Sequence, residues 1–270
     1  MIKVIVTGAA GRMGREIADS VIEADGLELA GGTEHKDHPA VGTGLLEQLG
    51  RKDGGPAISG DLKDIIDSAD VVIDFTAPSA SMEHFNLATD RGKAIVIGST
   101  GFSSEQIAAI HGRSSEAHCV LAPNMSVGVN VMFKLAEEAA KAVGSDYDME
   151  IVEIHHNRKK DSPSGTAARL AEICAAATKR DIETAAVYGR HGIVGERKPD
   201  EIGVMSLRAG DVVGEHTLIF GGPGERLEIT HRAGSRKNFA IGATRAAGWV
   251  VKQKSGIYDM QDVLSLRERG

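Results

Sequence analysis

Residues 2–14 read Ile-Lys-Val-Ile-Val-Thr-Gly-Ala-Ala-Gly-Arg-Met-Gly, and the fold follows from how this stretch is punctuated. Residues 2–6 form a short β-rich run closed by glycine, the pattern of a buried parallel strand. Gly8, Gly11 and Gly14 come next, and Met13, Ile17 and Val21 then recur every four residues as one apolar helix face. A second apolar run leads to Glu34, about 20 residues past the last glycine. Strand, glycine turn, helix, strand and acid in that order predict a Rossmann-type unit that binds a dinucleotide.

Each part has its own physical reason. Gly8 and Gly11 permit a tight turn and a close approach of backbone to pyrophosphate, while Gly14 lets the helix lie near the strand. Ala9, Ala10, Arg12 and Met13 complete a loop and helix start whose unpaired N–H groups and partial positive charge suit phosphate. The spacing is G-x-x-G-x-x-G rather than G-x-G-x-x-G, because position 10 is Ala. Glu34 would accept hydrogen bonds from a ribose 2′-hydroxyl and repel a 2′-phosphate. His35 and Lys36 stand beside it and offset that repulsion, so both NADH and NADPH stay open as cofactors.

Residues 71–75, 94–97 and 120–121 read as further buried strands. The loops after them carry Phe75 and Thr76; Gly98, Ser99 and Thr100; and Ala122, Pro123, Asn124 and Met125. In an open parallel sheet, ligands sit beyond the strand C-termini, so these are candidate cofactor contacts.

After Ser126 the pattern changes. Val127, Val131, Leu135 and Ala139 mark a helix, and residues 149–154 a strand. That strand delivers His155, His156, Arg158, Lys159 and Lys160 in quick succession. Ser164, Gly165 and Thr166 then supply hydroxyls and N–H groups at the start of an alanine-rich helix, suited to a carboxylate. Proton donors, fixed positive charge and a helix N-terminus together fit a small anionic substrate that must be protonated. Neighbouring His155 and His156 should point in different directions, so at most one is the proton donor. The runs 204–207, 212–220 and 226–231 are separated by glycines and read as antiparallel strands. A final helix is expected over residues 238–252, though periodicity does not show which half it joins.

The fold class is therefore α/β: a parallel-sheet nucleotide domain plus a second α+β domain with a mixed or antiparallel sheet. The formal charge of −7 argues against nucleic-acid and acidic-membrane partners. Cys119 and Cys174 match no metal or disulfide spacing, and adjacent histidines without a Cys or carboxylate triad do not make a zinc site, so no metal is expected. No charged, apolar leader precedes the first strand and no apolar run approaches a membrane span, which predicts a soluble, cytoplasmic protein.

The chain resembles the dihydrodipicolinate reductase family over essentially its whole length. The resemblance rests on residues 8–14, Asp74-Phe75-Thr76, residues 98–102, Asn124 with residues 126–130, and the run 153–167. Arg208-Ala209-Gly210-Asp211, Gly214-Glu215-His216, Ile229-Thr230-His231 and Ser235-Arg236 complete it. The specific part is His-His-x-x-Lys-x-Asp-x-Pro-Ser-Gly-Thr.

The resemblance implies an NAD(P)H-dependent reduction of a cyclic unsaturated dicarboxylate in lysine and diaminopimelate synthesis. It implies His155 as the active-site histidine, Lys159 as proton donor and His156 as a substrate contact. Gly165 and Thr166 would bind a substrate carboxylate, with Thr100 and Arg236 helping to hold the dicarboxylate. It further implies a nucleotide domain of residues 1–126 and 237–270, a substrate and oligomerisation domain of residues 127–236, and a homotetramer. The family's usual arginine after the acid is His35 here. Two rival readings are an aspartate-semialdehyde dehydrogenase-like oxidoreductase, which needs a thiolate from Cys119 or Cys174, and a non-catalytic NAD(H)-binding redox sensor.

Overall fold

A computed structural model describes residues 1–52 and 54–267. The chain divides into two compact units, Met1–Val127 with Arg236–Gly270, and Gly128–Ser235.

The first unit opens with β1 (Ile2–Thr7), α1 (Arg12–Glu23), β2 (Leu27–Thr33) and the short β3 (Ile58–Ser59). It continues through β4 (Val71–Asp74), α2 (Pro78–Asp90), β5 (Ala94–Ile97), α3 (Ser104–Gly112) and β6 (His118–Leu121). The second unit holds nearly all of α4 (Val127–Val143), then β7 (Asp148–His155), α5 (Gly165–Ala177), the single-turn α6 (Ile182–Ala185) and β8 (Ala186–Val187). It ends with β9 (Ile202–Arg208), β10 (Gly214–Gly222) and β11 (Glu225–Ala233). The chain then returns to the first unit as α7 (Lys237–Val250), β12 (Gly256–Tyr258) and α8 (Met260–Val263).

The first unit's sheet runs β12-β6-β5-β4-β1-β2-β3, and every pairing is parallel. Strand order reverses between β1 and β4, the switch point at which such sheets take ligands. The strands read as continuous apolar runs because both faces are covered. Val4, Val6, Ile73 and Val96 pack under α1 and α7, while Ile5, Val72, Ile95 and Ile97 pack with Phe85 and Ile110 of α2 and α3. Gly14 is fixed by that packing: a Cβ there would lie 2.1 Å from the Gly8 carbonyl oxygen.

The second unit's sheet runs β11-β10-β7-β9-β8 and is mixed. β10 is antiparallel to β7 and β11, but β9 is parallel to both β7 and β8. The antiparallel reading of residues 204–207 is thus corrected. The long excursion through α5 returns the chain to the same end of the sheet, as a crossover connection does. The expected strand over residues 212–220 begins only at Gly214, because residues 209–211 turn with Gly210 at φ +49°. Met149, Ile151, Leu218 and Phe220 face α4 and α5 in one core. Among the described residues no helix is long and apolar enough to cross a membrane.

Candidate active site

In the first unit the glycine loop is built by local bonds. Gly8 takes φ +63°, Gly11 N–H donates to the Gly8 carbonyl at 3.0 Å, and α1 starts with no side-chain cap. Ala10 N–H donates to Glu34 Oε1 at 3.0 Å, which ties the acid after β2 to the glycine loop. A cavity of about 600 Å³ opens here, lined among others by Gly8, Glu34, His35, Lys36, Lys63 and Thr76. Glu34 is half-buried while His35 and Lys36 are exposed. The side chains of Ala9, Ala122 and Met125 are buried in the core, so anything they offer a ligand comes from the main chain. Arg12 and Pro123 are exposed, Met13 packs against the core, and Asn124 Oδ1 accepts from Ser126 N–H at 2.9 Å. Phe75 lies flat against Gly98, where a Cβ would meet the ring at 2.3 Å.

Beneath the loops after β4 and β5 lies a buried polar cluster that sequence reasoning missed. Asp74, fully buried, accepts from Thr76 N–H at 2.8 Å, Thr76 Oγ1 at 2.7 Å, Ser81 Oγ at 3.0 Å and Ser99 Oγ at 3.2 Å. Its other oxygen meets His84 Nδ1 at 2.5 Å. Burial pushes the Asp74 carboxyl up, but His84 and the Thr76 donors outweigh it and hold the group below the usual carboxylate range. The available signal was spacing: Ser81 and His84, three apart on α2, share a helix face. Thr76 and Ser99, expected as cofactor contacts, thus also organise the loops themselves.

Thr100 is exposed after β5, and Arg236, also exposed, stands at the N-cap position of α7 without a side-chain capping bond; both belong to the first unit.

In the second unit, β7 points Met149, Ile151, Glu153 and His155 inward in strict alternation. His155 Nδ1 meets Glu153 Oε2 at 2.5 Å, and its ring stands edge-on to His216 with centroids 5.2 Å apart. Glu153 Oε1 accepts from Ser164 N–H at 3.2 Å, and the Arg208 guanidinium reaches the same carboxylate at 2.9 Å. Burial lowers the His155 imidazole below its ordinary value despite the opposing pull of Glu153, so it is neutral near pH 7. Burial pushes His216 down to about 3.

Ser164 is 2% exposed, and its hydroxyl is used internally. It caps α5 by accepting from Ala167 N–H at 3.2 Å and pairs with His216 Nε2 at 2.9 Å. Gly165 is exposed and Thr166 half-buried in the first turn of α5. Lys159 Nζ binds both Asp161 oxygens, at 2.7 and 3.0 Å. His156 is half-buried, and its Nδ1 has no hydrogen-bond partner among the described residues. The structure therefore gathers His155, Lys159 and the start of α5 around Glu153, Arg208 and His216, three residues given no role from spacing. Among the described residues no cluster of three or more His, Cys, Asp or Glu could hold a metal. Cys119 and Cys174 are fully buried; burial raises both thiols, Cys174 to about 12.

Comparison with known proteins gives a consistent picture. The family model for the N-terminus of dihydrodipicolinate reductase matches residues 2–125, and the model for its C-terminus matches residues 128–264. A 4-hydroxy-tetrahydrodipicolinate reductase of Syntrophus aciditrophicus (strain SB) is 53% identical, covering 99% of this chain and 100% of its own. Another, of Citrifermentans bemidjiense, is 52% identical over the same shares. The solved dipicolinate-bound dihydrodipicolinate reductase from Paenisporosarcina sp. TG-14 superposes with a TM-score of 0.77 at 28% identity, covering 97% of this chain and 98% of that one. An aspartate semialdehyde dehydrogenase from Vibrio cholerae, at 9% identity and a TM-score of 0.54 over 94% of this chain and 99% of that one, shares the fold alone.

Proposed function

The chain belongs to the dihydrodipicolinate reductase family, and from that premise we propose how its residues divide the work. It is an oxidoreductase that uses a nicotinamide cofactor to reduce the cyclic dicarboxylate 4-hydroxy-tetrahydrodipicolinate, or its dehydrated form, in lysine and diaminopimelate synthesis. The first unit is the nucleotide domain. The cofactor's fit rests on the positive φ of Gly8, the uncapped start of α1 and the cavity beside Glu34. Gly8, Ala9, Ala10, Gly11, Arg12 and Met13 would hold its pyrophosphate, and Glu34 with His35 its adenosine ribose. The loops carrying Phe75, Thr76, Gly98, Ser99, Thr100 and residues 122–125 would take the remainder. When bound, the nicotinamide supplies a hydride to ring carbon C4.

The second unit supplies the proton and holds the anion. Reduction drives electron density toward ring nitrogen and C3, and C3 must then be protonated. The Lys159 ammonium delivers that proton, because His155 is neutral near pH 7 and has none to spare. N–H groups of Gly165 and Thr166 at the start of α5 receive a carboxylate, aided by the helix dipole. His156 contacts the ring. The observation that carries this division is the meeting of His155 and the capped α5 start at one buried carboxylate, with Lys159 bound to Asp161, whose carbonyl anchors the Arg208 that spans that same carboxylate. Two buried thiols with raised pKa argue against thiolate chemistry of the semialdehyde dehydrogenase kind.

Glu34 favours the 2′-hydroxyl of NADH, while Lys36 and Lys63 on the same cavity tolerate a 2′-phosphate, so both cofactors serve and NADH serves better. The half-buried, partly apolar outer sheet face of Val152, Ile154, Met205 and Ile219 supports a homotetramer, and the family's biosynthetic role supports a cytoplasmic location. Generating the substrate in situ from pyruvate and aspartate semialdehyde and following each reduced cofactor tests the reading. Oxidation of NADH with higher kcat/KM than NADPH is expected; use of NADPH alone would refute the cofactor reading, and no oxidation of either would refute the reductase.

A further inference from the structure

Glu153 sits where β7 should carry an apolar side chain. Met149 and Ile151 precede it on the same inward face, and Glu153 itself is 0% exposed. A carboxylate so placed is costly unless each lone pair is used. Here the uses are specific: Oε2 meets His155 Nδ1, Oε1 accepts from Ser164 N–H, and Arg208 spans both oxygens at 2.9 and 3.0 Å. Arg208 is itself anchored, donating to the Asp161 carbonyl at 2.7 Å.

An ionised carboxylate only accepts hydrogen bonds, so the imidazole proton must lie on Nδ1 and the lone pair on Nε2. Resting on the roles assigned above to His155 and Lys159, we propose that Glu153 is the positioning residue of this active site. It locks His155 as the Nδ1–H tautomer, presenting Nε2 as an acceptor for an N–H or O–H of the ring substrate, and leaves Lys159 as the proton source. Through Ser164 the same carboxylate sets where α5 begins, so the acceptor and the carboxylate-binding turn share one anchor. Burial opposes ionisation of Glu153, but His155, Ser206 and Arg208 outweigh it and keep the group below the usual carboxylate range. His155 is faced by Glu153 on its own strand, Lys159 in the following loop, Arg208 on β9 and His216 on β10, with His231 of β11 paired behind His216. Glu153 is the one negative partner in that set.

The test uses histidine labelled with 15N in the intact enzyme, with His155 assigned by the resonance lost in His155→Gln. Wild-type protein is expected to show Nδ1 protonated and Nε2 bare. The reverse tautomer in the wild type overturns the proposal without any variant at 153. Glu153→Gln keeps the shape but removes the charge. It is expected to mix the tautomers, to lower kcat by about 10–100-fold with a smaller change in KM, and to move the acid limb of kcat/KM to lower pH. The direction follows because the group that favours imidazolium is gone. An unmoved limb with an unmixed tautomer overturns the positioning role, since a purely structural loss would lower activity without shifting either. Full activity in His155→Gln instead removes the histidine's proposed role, so the two failures are distinguishable.

Discussion

The Lys159 side chain is half-buried and its ion pair is with the exposed Asp161, so its removal leaves no buried charge unpaired and tests the chemistry. Lys159→Ala is expected to lower kcat by about 10²–10⁴-fold while NADH binding, followed by fluorescence titration, stays at the wild-type level. Unchanged turnover would remove Lys159 from the mechanism. Some of the site residues were legible in the sequence and others hidden, for identifiable reasons. His155 and Lys159 announce themselves because histidine and clustered cations are rare together. Glu153 does not, since an acid in a strand usually faces water. Its signal was phase: two residues before His155, it shares the inward face of Met149 and Ile151. His216 and Arg208 reach the site through β10 and β9, and no local spacing links them to residue 155. Asp74 and His84 pair across a turn and a helix face, again beyond any local pattern.

Elements were more legible than their pairings. The four-residue period marked α1 and α4, and the glycine turn placed β1, because those signals are local. The parallel partner of β9 is not local. It depends on α5 crossing back over the sheet, and an apolar run of five to seven residues looks the same either way. Gly14→Ala puts a methyl group 2.1 Å from the Gly8 carbonyl, so α1 must shift off β1 and the glycine loop with it. NADH binding is expected to weaken by at least about 10-fold, an effect typical of about 1–3 kcal/mol of overpacking; an unchanged dissociation constant would show that the loop tolerates the shift. Ser164→Ala removes the cap of α5 and the partner of a buried His216 nitrogen. The urea midpoint should fall by the equivalent of about 1–3 kcal/mol. A loss below about 0.5 kcal/mol, the low end for a helix cap, would mean the helix start is held by other contacts.

The molecule as a whole carries its buried ionisable groups in forms that acid opposes. Two buried carboxylates, Asp74 and Glu153, sit below their usual range, so their stabilisation is full above about pH 5 and is lost as pH falls through their native values. Three histidines of the second unit, His155, His216 and His231, are all lowered, chiefly by burial. For these the unfolded chain takes up a proton near about pH 6.5, whereas the native state does so only at lower pH. Native stability is therefore complete above that pH and drains as pH falls toward the native values, about 3 for His216. Each such histidine steepens the loss by up to about 1.4 kcal/mol per pH unit. Nothing in the overall charge of −7 foretells this, because the effect comes from burial and partners rather than from net charge. Urea midpoints between pH 7.5 and 5, read at one protein concentration so that assembly does not intrude, should fall steadily below about pH 6.5. His216→Asn keeps an acceptor for Ser164 but cannot be protonated, so its line should be shallower than the wild type's by about one proton. Parallel lines for the two proteins would mean that His216 is protonated in the native state and that its burial has been outweighed by a partner not yet identified.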